Sequence, residues 1–454
     1  MRMTRGTWLL LALAVLPATW GRAVDASPAS AERLASYMER RAEAGFSGVV
    51  LVASREGVLL REGYGRADAE LGVRNSPATV FRIGSVTKPL VATAVMRLVA
   101  RGVLSLDDRL SKYVPNCPKA WEAARIEDLL SHTSGIPDLF GNVAAGPPGA
   151  LRKLLDDTLD QAQASVLSSQ PGSRYSYSNF GYLLLAYVVE VASHSSWLEV
   201  LQREVFAPAA LQATRYDDVW AIVPGRARGY DRKRDKLVNI AYKDHGALSA
   251  GGLLSSADDL QRFVAALDGD LLLPAELQNR MFTPRREDYA LGWQVTRFFD
   301  RPVRNHTGQI DGFSAHIADY PADRLFVAVL SNVGHEPVKA IACDLAALTF
   351  GAAEPVLERN PAATPDPSQL DLLAGSYVSE DGEAREILRQ GDRLAYRRGS
   401  ALSPLTPVGY RSFALEARPD VSLTFEGAST APAVTLVARS CGSTLFIAQR
   451  RPGQ

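Results

Sequence analysis

The stretch FRIGSVTKPLVATAVMRLVARG, residues 81–102, places a serine and a lysine three residues apart at the predicted start of an apolar helix. The helix is apolar on most sides and ends at Gly102, so Lys88 lies at the edge of an element predicted to be buried. Residues i and i+3 lie on neighbouring faces of one helical turn, so the Lys88 amine can reach the Ser85 hydroxyl. The pattern indicates either a nucleophilic serine with a lysine base, or a helix cap beside a solvated lysine.

A second motif lies in PGSRYSYSNFGYLLLAYVVE, residues 171–190, just before another apolar helix. The Tyr177 oxygen could accept a proton beside a serine–lysine pair, and the Asn179 amide could hold both Lys88 and a substrate carbonyl. Taken alone, Tyr177 can instead be a packing residue and Asn179 a helix cap.

A third motif lies in RNHTGQIDGFSAH, residues 304–316, where His306, Thr307 and Gly308 end a strand-like run. Gly308 has no side chain, so a substrate backbone could lie against the strand there. Taken alone, this glycine can equally mark a β-bulge.

In this order, and in these strand and helix contexts, the three motifs resemble those of the penicillin-recognising serine hydrolases. That superfamily includes class C β-lactamases, D-alanyl-D-alanine carboxypeptidases, D-aminopeptidases and β-lactamase-like esterases. The resemblance covers about residues 32–350 and extends to LLSHTSGIPD, residues 129–138, and SAGGLLSSADDLQRF, residues 249–263. The class A pattern requires a separate glutamate and an S-D-N motif, and the tyrosine at position 177 disfavours it.

The resemblance implies a role for each motif position. Ser85 is similar to the family nucleophile, Lys88 and Tyr177 to its general base pair, and Asn179 to the residue that binds the substrate carbonyl. The backbone N–H groups of Ser85 and Gln309 would form the oxyanion hole. His306, Thr307 and Gly308, just before Gln309, would lie on the strand that binds the substrate. Acylation of Ser85 and attack by water on the ester would follow, without a cofactor.

The third motif departs from the β-lactamase pattern, because His306 replaces the usual lysine. A fixed cation there helps to bind a carboxylate, whereas a histidine is only partly charged near neutral pH. The sequence H-T-G resembles the version found in some D,D-carboxypeptidases and related peptidases. Arg304 shares a strand face with His306 and could restore the charge, or it could be solvated.

Composition and local patterns exclude several other classes of protein. Of 454 residues, 46% are hydrophobic, and acidic and basic residues balance at 50 each without a basic run, so we expect no nucleic-acid partner. No G-x-S-x-G or H-E-x-x-H motif occurs, and we expect structural roles for His132, His245 and His316 and no metal site. Cys117, Cys343 and Cys441 are widely spaced and odd in number, which argues against a disulfide framework.

The N-terminus has the pattern of a secretory signal. Arg2 and Arg5 precede the apolar run TWLLLALAVLP, and small residues follow at AVDA, with cleavage expected near Ala26. We therefore expect an exported protein, periplasmic or secreted, although an uncleaved membrane anchor is an alternative. No other stretch is apolar for long enough to cross a membrane.

The remaining chain has an α+β pattern followed by a β-rich tail. A helix and a hairpin (32–65) precede a mostly helical region to about residue 280, and four strand-like runs and a closing helix follow. This predicts an antiparallel sheet flanked by helices, a mostly helical subdomain of the β-lactamase/transpeptidase type, and a small lipocalin-like C-terminal β-barrel. We predict a signal peptide at 1–26, a hydrolase domain at 27–352, a linker at 353–370 and the barrel at 371–454.

Two classes of function stay open on the sequence. The first is an exported serine hydrolase acting through an acyl-enzyme on Ser85, as a D,D-peptidase or esterase or as a class C-like β-lactamase. Its substrate would be a D-amino-acid peptide, a small ester or a β-lactam. The second is a non-catalytic penicillin-binding or sensor protein, for which Lys88 and Tyr177 together have no evident use. The sequence does not predict the oligomeric state.

Overall fold

The computed structural model describes residues 27–143, 146–233, 236–242, 247–352, 367–380, 382–409, 411–416, 418–426, 431–441 and 443–451. These residues form a six-stranded antiparallel sheet with helices on both faces, a group of helices beside it, and a closed eight-stranded barrel. The predicted signal segment, His245 and most of the predicted linker lie outside the described residues.

The α-helices of the described residues are α1 (Pro28–Glu43), α2 (Thr87–Ala100), α3 (Ile126–Leu130), α4 (Leu151–Gln161), α5 (Asn179–Ser193), α6 (Trp197–Leu201), α7 (Leu248–Gly251), α8 (Ala257–Asp268), α9 (Ala275–Met281), α10 (Val338–Thr349) and α11 (Pro367–Leu373). Short 3₁₀ turns occur at Gly84–Val86, Leu110–Lys112, Lys119–Trp121, Phe140–Asn142 and Pro148–Ala150, and a π-helical turn at Gln202–Phe206. None of the described helices combines the length and apolar character needed to cross a bilayer.

The strands before the barrel are β1 (Gly48–Ser54), β2 (Gly57–Tyr64), β3 (Arg66–Asp68), β4 (Val73–Arg74), β5 (Phe81–Arg82), β6 (Arg215–Tyr216), β7 (Tyr230–Lys233), β8 (Lys236–Asn239), β9 (Leu253–Ser255), β10 (Gln294–Phe298), β11 (Arg301–Ile310), β12 (Phe313–Tyr320) and β13 (Leu325–Ser331). The barrel strands are β14 (Gly375–Ser379), β15 (Ala384–Gln390), β16 (Arg393–Arg398), β17 (Ala401–Gly409), β18 (Ser412–Leu415), β19 (Arg418–Glu426), β20 (Thr435–Ser440) and β21 (Ser443–Arg450).

The main sheet has the order β10-β11-β12-β13-β1-β2, so its strands come from both ends of the region that precedes the barrel. The N-terminal hairpin joins the sheet where β1 pairs with β13, and Val50 lies opposite Val329. This arrangement confirms the α+β prediction.

Helices cover both faces of this sheet. Val49 and Leu51 of β1 pack into the core that contains α2, whereas Val50 and Val52 pack into a second core with residues of α1 and α10. Because neither face is exposed, β1 reads as the continuous apolar run GVVLVA instead of an alternating pattern.

The predicted helical region also contains short strands that the sequence analysis missed. A three-stranded sheet of order β5-β9-β6 pairs Arg82 with Leu254 and Phe81 with Ser255. Strands of two or three residues contain too few positions to show a period of two. This small sheet ends at the turn that carries Ser85, so it fixes the first motif.

The predicted β-rich tail forms a closed barrel of eight strands, which confirms this part of the fold. Aromatic side chains fill its interior, including Tyr377, Phe413 and Phe425. The barrel is attached to the rest of the protein, because a disulfide joins Cys343 of α10 to Cys441 at the end of β20. The Phe299 N–H also donates a hydrogen bond to the Cys441 carbonyl at 3.1 Å. Cysteine spacing gave no indication of this single bridge, and Cys117 is free.

We expect removal of the bridge in Cys343→Ser/Cys441→Ser to lower the free energy of unfolding by about 2–5 kcal/mol. The bridge closes a loop of 98 residues and restricts the unfolded chain. Urea denaturation under non-reducing conditions measures the change, with Cys117→Ser as the matched control that opens no loop. Equal stability of the double variant and wild type would contradict the linkage.

Candidate active site

The turn that carries Ser85 is held by its neighbours on both sides. The Ile83 N–H donates to the Leu253 carbonyl of β9 at 3.1 Å, and the 3₁₀ turn Gly84–Val86 leads directly into α2. Ser85 is partly exposed, whereas Val86, Thr87 and Lys88 are buried. The Ser85 hydroxyl is therefore accessible to solvent, while the residues that follow it belong to the protein core.

The Lys88 amine is buried within reach of three oxygen atoms. Its Nζ lies 3.0 Å from Ser85 Oγ, 2.8 Å from Asn179 Oδ1 and 2.7 Å from the Ala250 carbonyl oxygen. The amide and carbonyl oxygens only accept, so each takes one N–H of the amine. The Ser85 hydroxyl then faces the remaining position on Nζ, where a neutral amine carries its lone pair.

Burial lowers the pKa of Lys88 to about 7, while the negative charge of Asp138 acts in the opposite direction. The amine is therefore deprotonated far more readily than an ordinary lysine and can accept a proton near neutral pH. Asp138 is held beside the second motif, because the Phe180 N–H donates to its Oδ1 at 2.9 Å.

The Tyr177 hydroxyl lies 2.8 Å from Ser85 Oγ, and its ring centroid lies 4.8 Å from Lys88 Nζ. Desolvation raises the pKa of Tyr177 well above the usual value, so the side chain is a neutral phenol at physiological pH. Ser85 Oγ thus contacts an amine that can accept a proton and a phenol that can donate one.

The sequence analysis gave His132 a structural role, and the structure places it under the second motif. Its Nδ1 accepts a hydrogen bond from the Ser178 N–H at 3.1 Å, and its ring packs on Tyr177 with centroids 4.3 Å apart. Ser178 Oγ caps α5 by accepting from the Gly181 N–H at 3.1 Å. Ser178 is thus the helix cap, which leaves the Asn179 amide to contact Lys88.

Two glycines bring β11 against the serine turn. A Cβ on Gly308 would lie 2.0 Å from the Ile83 carbonyl oxygen and 2.9 Å from the Ser85 nitrogen, and a Cβ on Gly84 would lie 2.8 Å from the Gln309 nitrogen. The amide nitrogens of Ser85 and Gln309 therefore both lie at the contact between the serine turn and β11. Glycine at position 308 is thus required by the serine turn on its Cβ side, and the binding of a substrate backbone along the strand edge stays a prediction.

The edge of β11 next to the cleft is open beyond Asn305. Strand β10 pairs with β11 only from Arg301 to Asn305, whereas β12 continues to pair on the other side up to Ile310. Thr307 Oγ1 hydrogen bonds to His316 Nδ1 at 2.8 Å, so His316 orients this side chain from the neighbouring strand. An extended substrate can bind along such an edge by backbone hydrogen bonds.

His306 is a neutral residue in this structure. Its Nε2 lies 3.0 Å from the Tyr289 hydroxyl, and its Nδ1 donates to the Thr307 carbonyl at 2.9 Å. Burial and the charge of Lys88 lower the pKa of His306 to about 3. The interpretation of His306 as a partly charged group near neutral pH is therefore wrong.

Arg304 does not supply the missing charge either. Its guanidinium lies 2.6 Å from Asp268 and 3.4 Å from Asp319, and it stacks on the Phe282 ring at 3.7 Å. Arg304 shares a strand face with His306 but pairs with Asp268 at the end of α8 and with Asp319 of the neighbouring strand β12.

A cleft of about 600 Å³ extends from the second and third motifs toward α10 and the barrel. It is lined by Tyr177, Gln294, His306, Thr307, Gln309, His335, Glu336, Pro337, Val338, Lys339, Glu416 and Arg418. No local pattern in the sequence links Glu416 or Arg418 to the motifs, so neither barrel residue was predicted here. Among the described residues, no group of three or more His, Cys, Asp or Glu side chains could hold a metal ion.

Comparison with known proteins extends these observations. The putative penicillin-binding protein PbpX of Bacillus subtilis (strain 168) is 28% identical over 305 residues, which cover 66% of this chain and 74% of the relative. Penicillin-binding protein 4* of the same strain is 27% identical over 379 residues, which cover 77% and 83%. The octameric penicillin-binding protein homologue from Pyrococcus abyssi has the same fold, with a TM-score of 0.65 at 23% identity over 92% of this chain and 99% of that chain.

The match to a family model covers most of the chain before the barrel. The model described as Beta-lactamase matches residues 32–351, a region that includes all three motifs. The chain therefore belongs to the Beta-lactamase family, within the penicillin-recognising serine hydrolases that the three motifs predicted.

Proposed function

We propose that this protein is a serine hydrolase that acts through an acyl-enzyme on Ser85, as a D,D-peptidase or an esterase. The observation that carries the proposal is the environment of Ser85 Oγ, which lies 3.0 Å from the Lys88 amine and 2.8 Å from the Tyr177 hydroxyl. A serine needs a nearby base to become a nucleophile, and an amine with a pKa of about 7 is such a base at neutral pH.

In acylation, neutral Lys88 takes the hydroxyl proton as Ser85 Oγ attacks the substrate carbonyl carbon. The N–H groups of Ser85 and Gln309 stabilise the oxyanion, an effect worth about 3–4 kcal/mol per donor in comparable enzymes. Tyr177 donates its proton to the leaving group as the bond from the carbonyl carbon to that group breaks. The Lys88 ammonium then returns a proton to Tyr177. Asn179 holds Lys88 through Oδ1 and directs its amide NH₂ group toward the acyl carbonyl.

In deacylation, water attacks the ester carbonyl of the acyl-enzyme. Lys88 accepts a proton from this water. As the ester bond breaks, Ser85 Oγ leaves and takes the proton back from Lys88. Each step uses side chains of this chain alone, so the proposal needs no cofactor.

The structure favours a peptidase or esterase over a class C-like β-lactamase. Binding of a β-lactam carboxylate benefits from a cation in the third motif, and His306 is neutral there because burial lowers its pKa to about 3. The sensor alternative is disfavoured because Lys88 and Tyr177 both contact Ser85 Oγ. We further propose that the protein is exported, on the basis of its N-terminal sequence.

Replacement of the nucleophile in Ser85→Ala should abolish turnover and labelling by a fluorescent fluorophosphonate. The melting temperature should change little, because Ser85 is partly exposed and its hydroxyl contributes at most about 1 kcal/mol. Ser111→Ala is the matched control, because Ser111 is also in a 3₁₀ turn, is exposed, and donates its hydroxyl to the Glu122 carbonyl instead of a motif residue. Full activity of Ser85→Ala would refute the proposal.

The variant Tyr177→Phe should lower the acylation rate by about 100-fold or more, because the leaving group loses its proton donor. Pre-steady-state kinetics with a p-nitrophenyl ester and with a D-alanyl-D-alanine peptide would measure the rate. The loss should be larger for the peptide, whose amine is the poorer leaving group. An unchanged rate with both substrates would make Tyr177 a packing residue.

The pH dependence of acylation should follow Lys88. The neutral amine is the active form, so kcat/KM should fall as pH decreases through about 7 and should level off above it. Asp138→Asn removes the negative charge that raises the Lys88 pKa, so this limb should move to lower pH. Neutral and anionic substrates should share one limb, and an additional limb near pH 6.5 with anionic substrates alone would assign a charge change to His306.

A further inference from the structure

A buried ion pair lies directly before the serine turn. Arg82 of β5 is three residues ahead of Ser85, and its Nε lies 2.5 Å from Asp217 Oδ2. Both side chains are buried, with 3% and 7% of their surface exposed, and neither residue belongs to the three motifs. Each charged group has lost most of its water shell, so each depends on the other for compensation.

Two further side chains complete the cluster around Asp217. The Tyr242 hydroxyl donates a hydrogen bond to Asp217 Oδ1, and Arg226 lies 3.5 Å from the same oxygen. The Tyr242 ring contacts both guanidinium groups, whose carbons lie 3.8 Å (Arg82) and 4.7 Å (Arg226) from its centroid. Desolvation and the charge of Asp217 raise the pKa of Tyr242 to about 12, so the phenol keeps its proton and stays a donor. The Asp217 carboxylate thus joins three separate segments of the chain.

The backbone of Asp217 connects this cluster to α7. Its N–H donates to the Gly252 carbonyl at 2.9 Å, and Gly252 follows α7 directly. The Gly252 N–H in turn donates to the Leu248 carbonyl at 2.7 Å. The Ala250 carbonyl, which accepts from Lys88 Nζ at 2.7 Å, lies within this same turn. The position of Asp217 therefore influences the position of that carbonyl.

The small sheet connects the cluster to the start of α2 as well. Strand β9 lies between β5 and β6, and its Leu254 pairs with Arg82. The Leu253 N–H donates to Thr87 Oγ1 at 3.3 Å, at the first residue of α2. A displacement of β5 against β9 would therefore disturb both the serine turn and the helix that carries the lysine.

We propose that Asp217 is a positioning residue for the reaction at Ser85. Paired with Arg82, it holds β5, β6 and β9 in register, and through Gly252 it keeps the Ala250 carbonyl on the lysine amine. This inference rests on the proposed serine hydrolase function and adds to it a residue outside the three motifs. A buried ion pair often gives little net stability, whereas its directional hydrogen bonds specify one arrangement of the elements that it joins.

The arrangement also keeps water away from the Lys88 amine. All four residues of α7 are buried, and burial is the main cause of the lowered pKa of Lys88. Loosening of α7 would admit water and raise this pKa, because water stabilises the ammonium form. The other charged or titratable groups around the amine are Asp138, Tyr177, Tyr182, His132 and His306.

The variant Tyr242→Phe tests the proposal, because it removes one hydrogen bond from Asp217, keeps the ring and replaces no neighbour of the amine. The measurement is the second-order rate constant for labelling by a fluorescent fluorophosphonate as a function of pH. In this reaction the bond from Ser85 Oγ to phosphorus forms as the phosphorus–fluorine bond breaks, and Lys88 takes the serine proton. Fluoride needs no proton to leave, so the pH dependence reports on the amine.

In wild type the labelling rate should fall as pH decreases through about 7. In Tyr242→Phe this limb should move to higher pH by about 0.5–1 unit, so labelling at about pH 6 should be about 3-fold to 10-fold slower. Asp217→Asn, which also removes the charge of the ion pair, should move the limb further. Above the limb, labelling of Tyr242→Phe should return to within about twofold of wild type, since the neutral amine is then restored.

The matched controls are Tyr187→Phe and Asp156→Asn. The Tyr187 hydroxyl donates to Asp156 Oδ1 at 2.9 Å, and the guanidinium carbon of Arg152 lies 5.5 Å from the ring centroid. This cluster on α4 and α5 has the same chemistry as the one around Asp217. In both controls the limb should stay at its wild-type position.

A limb that does not move to higher pH in Tyr242→Phe would overturn the proposal, and this variant decides the question even if Asp217→Asn fails to fold. A uniform loss of labelling at every pH would give the cluster a purely structural role and overturn it too, as would an equal shift in the controls. These results leave the proposed function intact if wild type labels at Ser85 with a limb near pH 7. Absence of wild-type labelling would instead refute the proposed function and this inference with it.

Discussion

The burial of one amine constrains the rest of this structure. An amine shielded from water needs hydrogen-bonding partners, and Lys88 finds them in oxygens from three elements: the serine turn, α5 and α7. Asn179 and Ala250 are 91 and 162 residues from Lys88 along the chain, so the packing of α2, α5 and α7 must bring them to a single point. The same burial lowers the pKa of Lys88 and thereby makes it a base.

The surrounding groups are consistent with a single ionisable amine at the centre of the site. Burial and the charge of Lys88 both lower the pKa values of His132 and His306, and both histidines serve as neutral hydrogen-bonding groups. His132 orders the segment that carries Tyr177, and His306 is held between Tyr289 and its own strand. The third motif therefore presents no fixed cation to a substrate at the position of His306.

The residues proposed for the chemistry and the barrel residues that line the cleft come from different regions of the chain. Ser85, Lys88 and Tyr177 all lie in the region 32–351 that matches the Beta-lactamase family. Glu416 and Arg418 lie beyond it, in a barrel that a disulfide fixes against α10. Substitutions at Glu416, or at Arg418 where β19 begins, can therefore alter the cleft without replacing a residue that contacts Ser85 Oγ.

The sequence by itself determined the family, the three motifs, the strands of the main sheet and the eight strands of the barrel, because each has a local pattern of residue spacing or alternation. It did not determine the neutral state of His306, the partners of Arg304, the close approach at Gly308 or the bridge from Cys343. Only the tertiary structure decided these features, since charge state, ion pairing and steric fit depend on burial and on neighbours that are distant in the sequence. The Ala250 carbonyl that holds Lys88 is such a neighbour, because every residue carries a carbonyl and only folding selects this one.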